Sequence, residues 1–173
     1  WKQVDEKKVE GVGTVIVRHK ETLGEDCLEG SVTAALDPDE LLKAASDIEG
    51  QPSWSSWKVA AAKKLKSATG SFDYYQLLDN PAVIATMGKS GEDRFFKWDQ
   101  VDGSVTYPAE VASLLERFPG AVPTRTNVGD WTFSPRAEGT FVRYRICTDA
   151  GGNLPRWMGE YAARSTLPTN VAD

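Results

Sequence analysis

The sequence predicts an α+β domain, an antiparallel sheet met by a closing C-terminal helix, and three stretches carry that prediction. Trp131, Phe133, Val142, Tyr144 and Ile146 recur at every second position with polar residues between them, the period of strands that bury one face. Around residues 37–50 the apolar period lengthens to that of a helix. Beyond Asp149, Ala150-Gly151-Gly152 punctuates the chain, Asn153 can cap, Pro155 suits a first helical turn, and Leu154, Met158, Tyr161, Ala162 and Ser165 share one helical face.

Taken in order, residues 8–19 put Val15 and Val17 on one face and Thr14 and Ile16 on the other, and read as the first strand. Residues 27–36 alternate Leu28, Val32, Ala34 and Leu36 against Glu29, Ser31 and Thr33, giving a second. Asp37 then caps a helix: Pro38 fits its first turn, Asp39 and Glu40 favour its positive end, and Leu41, Leu42, Ala45 and Ile48 form a stripe that stops near Gly50. Residues 53–67 read as a second helix, with Trp54, Trp57, Ala61 and Leu65 at helical spacing and Lys63, Lys64 and Lys66 on the wet side.

Residues 71–79 return to a strand, with Phe72, Tyr74 and Leu78 on one face and Asp73, Tyr75 and Asp79 on the other. Asn80-Pro81 breaks it, and residues 82–89 and 93–101 form a hairpin about Ser90-Gly91-Glu92, turning Phe96 and Trp98 one way and Lys97 and Asp99 the other. Residues 107–120 read as a short helix between Pro108 and Pro119-Gly120, with Val111, Leu114, Leu115 and Phe118 as its apolar stripe. Residues 121–126 supply a further strand and 127–130 a turn. Pro135 and residues 136–139 then divide the Trp131 strand from the Tyr144 strand, so these two form a hairpin. Leu167-Pro168-Thr169 is expected to end the last helix.

Composition narrows function. A length of 173 residues gives one domain, residues 1–173, with a sizeable core. The net charge of −5 leaves no electrostatic footprint for nucleic acid, although Lys63, Lys64 and Lys66 form a local basic patch that can touch an anionic membrane. The single histidine, His19, rules out a three-histidine zinc site and reads as a strand-end residue. Ligand-type residues are few and scattered, so no metal or cofactor is expected. Cys27 and Cys147 lack CxxC spacing and lie in separate strand candidates. They are expected as small buried thiols, a disulfide between them being the less favoured alternative. No run of roughly 18 apolar residues is present to span a membrane.

The stretches GDWTFSP, GTFVRYRICTD and GGNLPRWMGEYAARS resemble the C-terminal block of START domains, the steroidogenic-acute-regulatory-protein-related lipid-transfer family. In that block the last strand alternates apolar and aromatic residues, ends in an acidic residue and a Gly, and enters a long helix through a Leu-Pro pair. Val142, Tyr144, Asp149, Gly152, Leu154 and Pro155 hold those places. Trp54 with Trp57, and DYYQLLDNP, extend the resemblance over most of the chain. The family's Arg-Asp after that Pro is replaced here by Ala82-Val83, so polar recognition by such a pair does not carry over.

The resemblance implies a helix-grip fold, a curved antiparallel sheet wrapped around a long C-terminal helix with an internal hydrophobic cavity. It implies non-enzymatic binding and transfer of one hydrophobic lipid, sterol, phospholipid or fatty-acid-like, by a monomer in transient membrane contact, without nucleic acid or cofactor. The alternatives are a polyketide cyclase or hydratase on the same fold, which needs an acid/base pair in the pocket, and a ligand-sensing interaction module. Lipid contacts are expected from the inward strand positions Phe72, Tyr74, Met87, Phe96, Trp98, Trp131, Phe133 and Tyr144, from Arg125, and from Met158 and Tyr161 of the last helix. Tyr74, Arg125, Tyr144 and Tyr161 are the polar candidates among them. Leu115 and Phe118 complete the set, because the family's counterpart of residues 107–120 helps roof the cavity, which makes this segment a lid candidate. The opening at Trp1 rather than Met reads, through the same resemblance, as export after loss of a signal peptide. The early stop of the last helix reads as further C-terminal sequence.

Overall fold

The alternating stretches pair into a nine-stranded antiparallel sheet in the order β1-β2-β3-β9-β8-β7-β6-β5-β4. Its strands are β1 (Lys2–Val9), β2 (Gly13–Thr22), β3 (Glu25–Ala34), β4 (Ala61–Ala68), β5 (Ser71–Leu77), β6 (Ala82–Ser90), β7 (Asp93–Gln100), β8 (Thr126–Arg136) and β9 (Gly139–Asp149). Among the described residues the helices α1 (Pro38–Ala45), α2 (Gln51–Trp54) and α3 (Arg156–Ala172) accompany them. This computed structural model describes residues 1–22, 25–55, 59–77, 82–90, 93–100, 112–113, 116–117, 126–149 and 156–173. Residues 22, 25–26, 66–68, 82–90, 98–100, 149 and 156–163 among them are described as backbone.

Register decides which face each residue takes. Tyr144 pairs with Gly30 and Trp131, Trp131 with Phe96, and Phe133 with Val142, so the apolar positions of β3, β9, β8 and β7 share one face. Val15, Val17, Leu28, Val32, Phe96, Phe133, Val142, Tyr144 and Ile146 are buried there in one cluster with Leu167 and Val171 of α3. The sheet curves around that helix, which packs against β1, β2, β3 and β9, while α1 packs against β7 and β8. Gly30 makes the close approach possible, since a Cβ at that position would sit 2.7 Å from Cγ2 of Val171. Gly139, at φ 134°, turns β8 into β9 where a side chain would strike the carbonyl of Ala34.

The opposite face is polar and ordered by charge. Arg18, Glu29, Arg145, Asp130 and Lys97 stand in register across β2, β3, β9, β8 and β7, alternating in sign from strand to strand. Arg18 donates to Glu29 at 2.9 Å and Arg145 to Asp130 at 2.7 Å. The stems of the arginines cover the acids, so Glu29 and Asp130 are each only 8% exposed.

Several expectations hold. Asp37 caps α1 by accepting from the backbone N–H groups of Asp39 and Glu40 at 2.8 and 3.2 Å. The 82–90/93–100 and 126–136/139–149 hairpins are present.

Others are corrected. A strand precedes the expected first one: β1 is an edge strand in which only Val4 and Val9 are half-buried, so its charged sequence carries almost no alternation signal. The helix expected over 53–67 is confined to Gln51–Trp54, and Ala61–Ala68 forms edge strand β4 instead. Ala and Lys favour a helix locally, but pairing with β5 satisfies a backbone edge that would otherwise stay open, and tertiary context overrides propensity. Residues 127–130 are not a turn but the start of β8, in which Asp130 is held by Arg145.

The last helix does not stop at Leu167 but runs through Pro168 to Ala172. Leu167 and Pro168 are fully buried and Val171 packs over Gly30, and this apolar packing offsets the hydrogen bond that Pro168 forfeits. Cys27 and Cys147 are not free thiols: they face each other in the β3–β9 register, with Cα atoms 4.1 Å apart, and are joined in a disulfide. Of the expected 107–120 helix, residues 112–113 and 116–117 are helical and the rest lies outside the described residues, as do 121–125 of the expected strand that follows.

Candidate functional site: an aromatic concave face

The inner face carries its largest side chains on β5, β7, β8 and β9, where period-two alternation presents them together. Phe72, Tyr74 and Phe96 form a triangle with ring centroids 5.9 Å apart for Phe72–Tyr74 and Phe72–Phe96, and 6.4 Å for Tyr74–Phe96. Trp131 bridges to the other side, 6.0 Å from Phe133 and 4.4 Å from Tyr144. Offset and tilted rings at these distances add to the attraction of simple burial. Six expected contact residues are thus brought onto one face. In the backbone ladder Met87 pairs with Phe96 and Trp98 with Gly129. Met158 and Tyr161 lie in the first half of α3, and Leu115, Phe118 and Arg125 lie outside the described residues.

Polar groups on this face are few. Burial drives the Tyr74 phenol far above its ordinary value near 10, and the neighbouring Tyr144 phenol pushes in the same direction. Burial likewise raises Tyr144, against a smaller opposing effect from its hydrogen bond with the Asn170 side chain of α3. Both therefore stay protonated. Lys64 of β4 places its amine 4.5 Å from the centre of the Phe72 ring, a cation–π contact at the sheet's edge. Arg94, in line with Phe133, pairs with Asp39 and ties β7 to α1. Among the described residues, no group of three His, Cys, Asp or Glu side chains is placed to hold a metal ion.

Asn127 and Asn170 were not legible as site residues. Asn170 lies three positions after Leu167 on a helix that Pro168 was expected to have ended, and Asn127 read as part of a turn. Tyr75 and Leu77, on the outward register of β5, are also fully buried, so this strand is covered on both faces.

No protein-family model and no curated protein matches the chain. Solved structures do. The STAR-related lipid transfer protein of Xanthomonas axonopodis superposes with a TM-score of 0.70 at 21% sequence identity, over 96% of this chain and 92% of that one. Human StAR-related lipid transfer protein 5 gives 0.69 at 14% identity, over 99% and 84%. The di-domain ARO/CYC StfQ of the steffimycin biosynthetic pathway gives 0.51 at 14%, over 83% and 46%. The chain has the helix-grip fold of START domains, a curved antiparallel sheet closed by a C-terminal helix, and at these identities the likeness is one of fold.

Proposed function

We propose that the chain binds one hydrophobic lipid against its aromatic concave face and carries it between membranes without chemistry on it. The observation that carries this reading is the run of inward rings from Phe72 through Phe96 to Trp131 and Tyr144 on a START-type sheet. A sheet gripping one helix leaves room for an apolar guest between them. Burying roughly 300–400 Å² of lipid surface at about 25 cal/mol/Å² supplies ~8–10 kcal/mol, which after association costs corresponds to roughly micromolar binding.

Burial keeps both phenols protonated, so Tyr74 and Tyr144 are available as hydrogen-bonding groups for a carried lipid but not as a base, and a cyclase or hydratase needs an acid/base pair. The likeness to a cyclase fold keeps that alternative in view, and retention of the lipid unchanged after incubation separates the two. Residues 107–120 are proposed as the lid through which the lipid enters, in contact with the membrane. Export is proposed as well, and the Cys27–Cys147 disulfide supports it, because such bonds persist in oxidising compartments.

The direct test is titration with a fluorescent sterol and a fluorescent fatty acid. At least one should saturate near one molecule per chain, with Trp131→Ala weakening binding. Absence of uptake for both probes defeats the proposal.

A further inference from the structure

Resting on the lipid-binding reading, we infer that Asn127 accepts a hydrogen bond from a hydroxyl on the bound lipid, so the site selects a neutral alcohol head group over an anionic one. Asn127 stands opposite Thr148 in the β8–β9 register and shares the inward parity of Trp131 and Phe133. Its Oδ1 is withdrawn from solvent, and among the described residues it has no hydrogen-bond partner. The hydroxyl of Thr148, the residue facing it across the pair, donates instead to the Thr126 carbonyl at 3.1 Å. The next inward position is Gly129, so β8 places no side chain between this oxygen and Trp131.

A buried amide oxygen without a donor is unfavourable, and buried polar groups are nearly always paired. None of the described residues supplies that donor, and it is assigned to the guest. A hydroxyl supplies one, and the aromatic run beyond Gly129 accommodates the hydrocarbon attached to it. A carboxylate or a phosphodiester brings only lone pairs, which oppose this oxygen. The contrast with the outer face is chemical: there Asp130 receives both N–H groups of the Arg145 fork, so a buried oxygen in this sheet is ordinarily supplied.

The test measures displacement of an apolar fluorescent dye by two matched pairs, cholesterol against its 3-deoxy analogue and oleyl alcohol against (Z)-9-octadecene. Wild type, Asn127→Leu and Asn127→Ala are compared. Wild type should favour the alcohol of at least one pair by about tenfold, and both variants should bind the two members of that pair alike while keeping the affinity of the deoxy compound. The pair that shows the preference names the source of the hydroxyl, sterol or acyl chain. Without ligand, Asn127→Leu should melt no lower than wild type, because it removes an unsatisfied acceptor. Equal binding of alcohol and deoxy compound by wild type overturns the inference and leaves lipid binding standing. So does a preference that survives in both variants, or a ligand-free loss of melting temperature in both. A wild type that takes up neither dye nor any of the four compounds sinks the lipid-binding reading, and this inference with it.

Discussion

Replacing Gly30 by alanine tests whether the C-terminal helix is gripped by the sheet at the place the geometry requires. The added Cβ would lie 2.7 Å from Val171 Cγ2 and 3.4 Å from the Leu167 Cδ2 and Cγ atoms. Leu167 cannot yield readily, being 1% exposed, and Val171 is β-branched with little rotamer freedom in a helix. Overpacking of this kind costs about 1–3 kcal/mol. Removing a strand glycine returns roughly 0.5–1 kcal/mol by restricting the unfolded chain. The net loss is therefore about 0–2.5 kcal/mol, centred on about 1, which for a domain of this size lowers Tm by up to about 10 °C.

Thermal unfolding followed by circular dichroism measures it, and Val171→Ala supplies the control. Alone, Val171→Ala should cost about 1.6 kcal/mol for its two lost methyl equivalents. Combined with Gly30→Ala, it makes room for the new methyl, so the double variant should be more stable than the sum of the singles by about 1 kcal/mol. A Tm that rises in Gly30→Ala, or strict additivity of the pair, would refute the close approach of α3 to β3.

The Cys27–Cys147 bond joins residues 120 positions apart. Reducing it, or replacing both cysteines by alanine, should remove roughly 2–5 kcal/mol of stability and lower Tm by about 4–20 °C, and an unchanged Tm would contradict a formed bond. Tyr74 and Tyr144 predict an alkaline limit: the unfolded phenols ionise near pH 10.0 while the folded ones keep their protons, so the unfolded state binds fewer protons above that pH. These groups leave stability unchanged below pH 10.0 and reduce it above, by about 1.4 kcal/mol per pH unit each; Tyr74→Phe should halve their joint slope in denaturant titrations at pH 10 to 12.

The fold was most legible where sequence period and burial coincide. Residues 131–146 alternate cleanly because they sit at the centre of the sheet with one apolar face, and the Asp37 cap was legible because its chemistry is local. Edges were not: β1 and β4 have one strand neighbour each, bury little, and carry charged or helix-favouring residues, so their conformation is dictated by a partner strand rather than by their own pattern. Pro168 misled for a similar reason, since its local penalty is visible in sequence and the packing that offsets it is not. In the site, the aromatic positions followed from alternation. The disulfide and the Tyr144–Asn170 contact depend on pairings between distant segments that no spacing rule encodes.

Native mass spectrometry of the chain purified from its own host shows whether a lipid occupies the concave face. Lipid carriage predicts a chain mass increased by one apolar molecule, released on denaturation and identified in the organic extract. Bare chain mass, both as purified and after incubation with mixed-lipid vesicles, would contradict it.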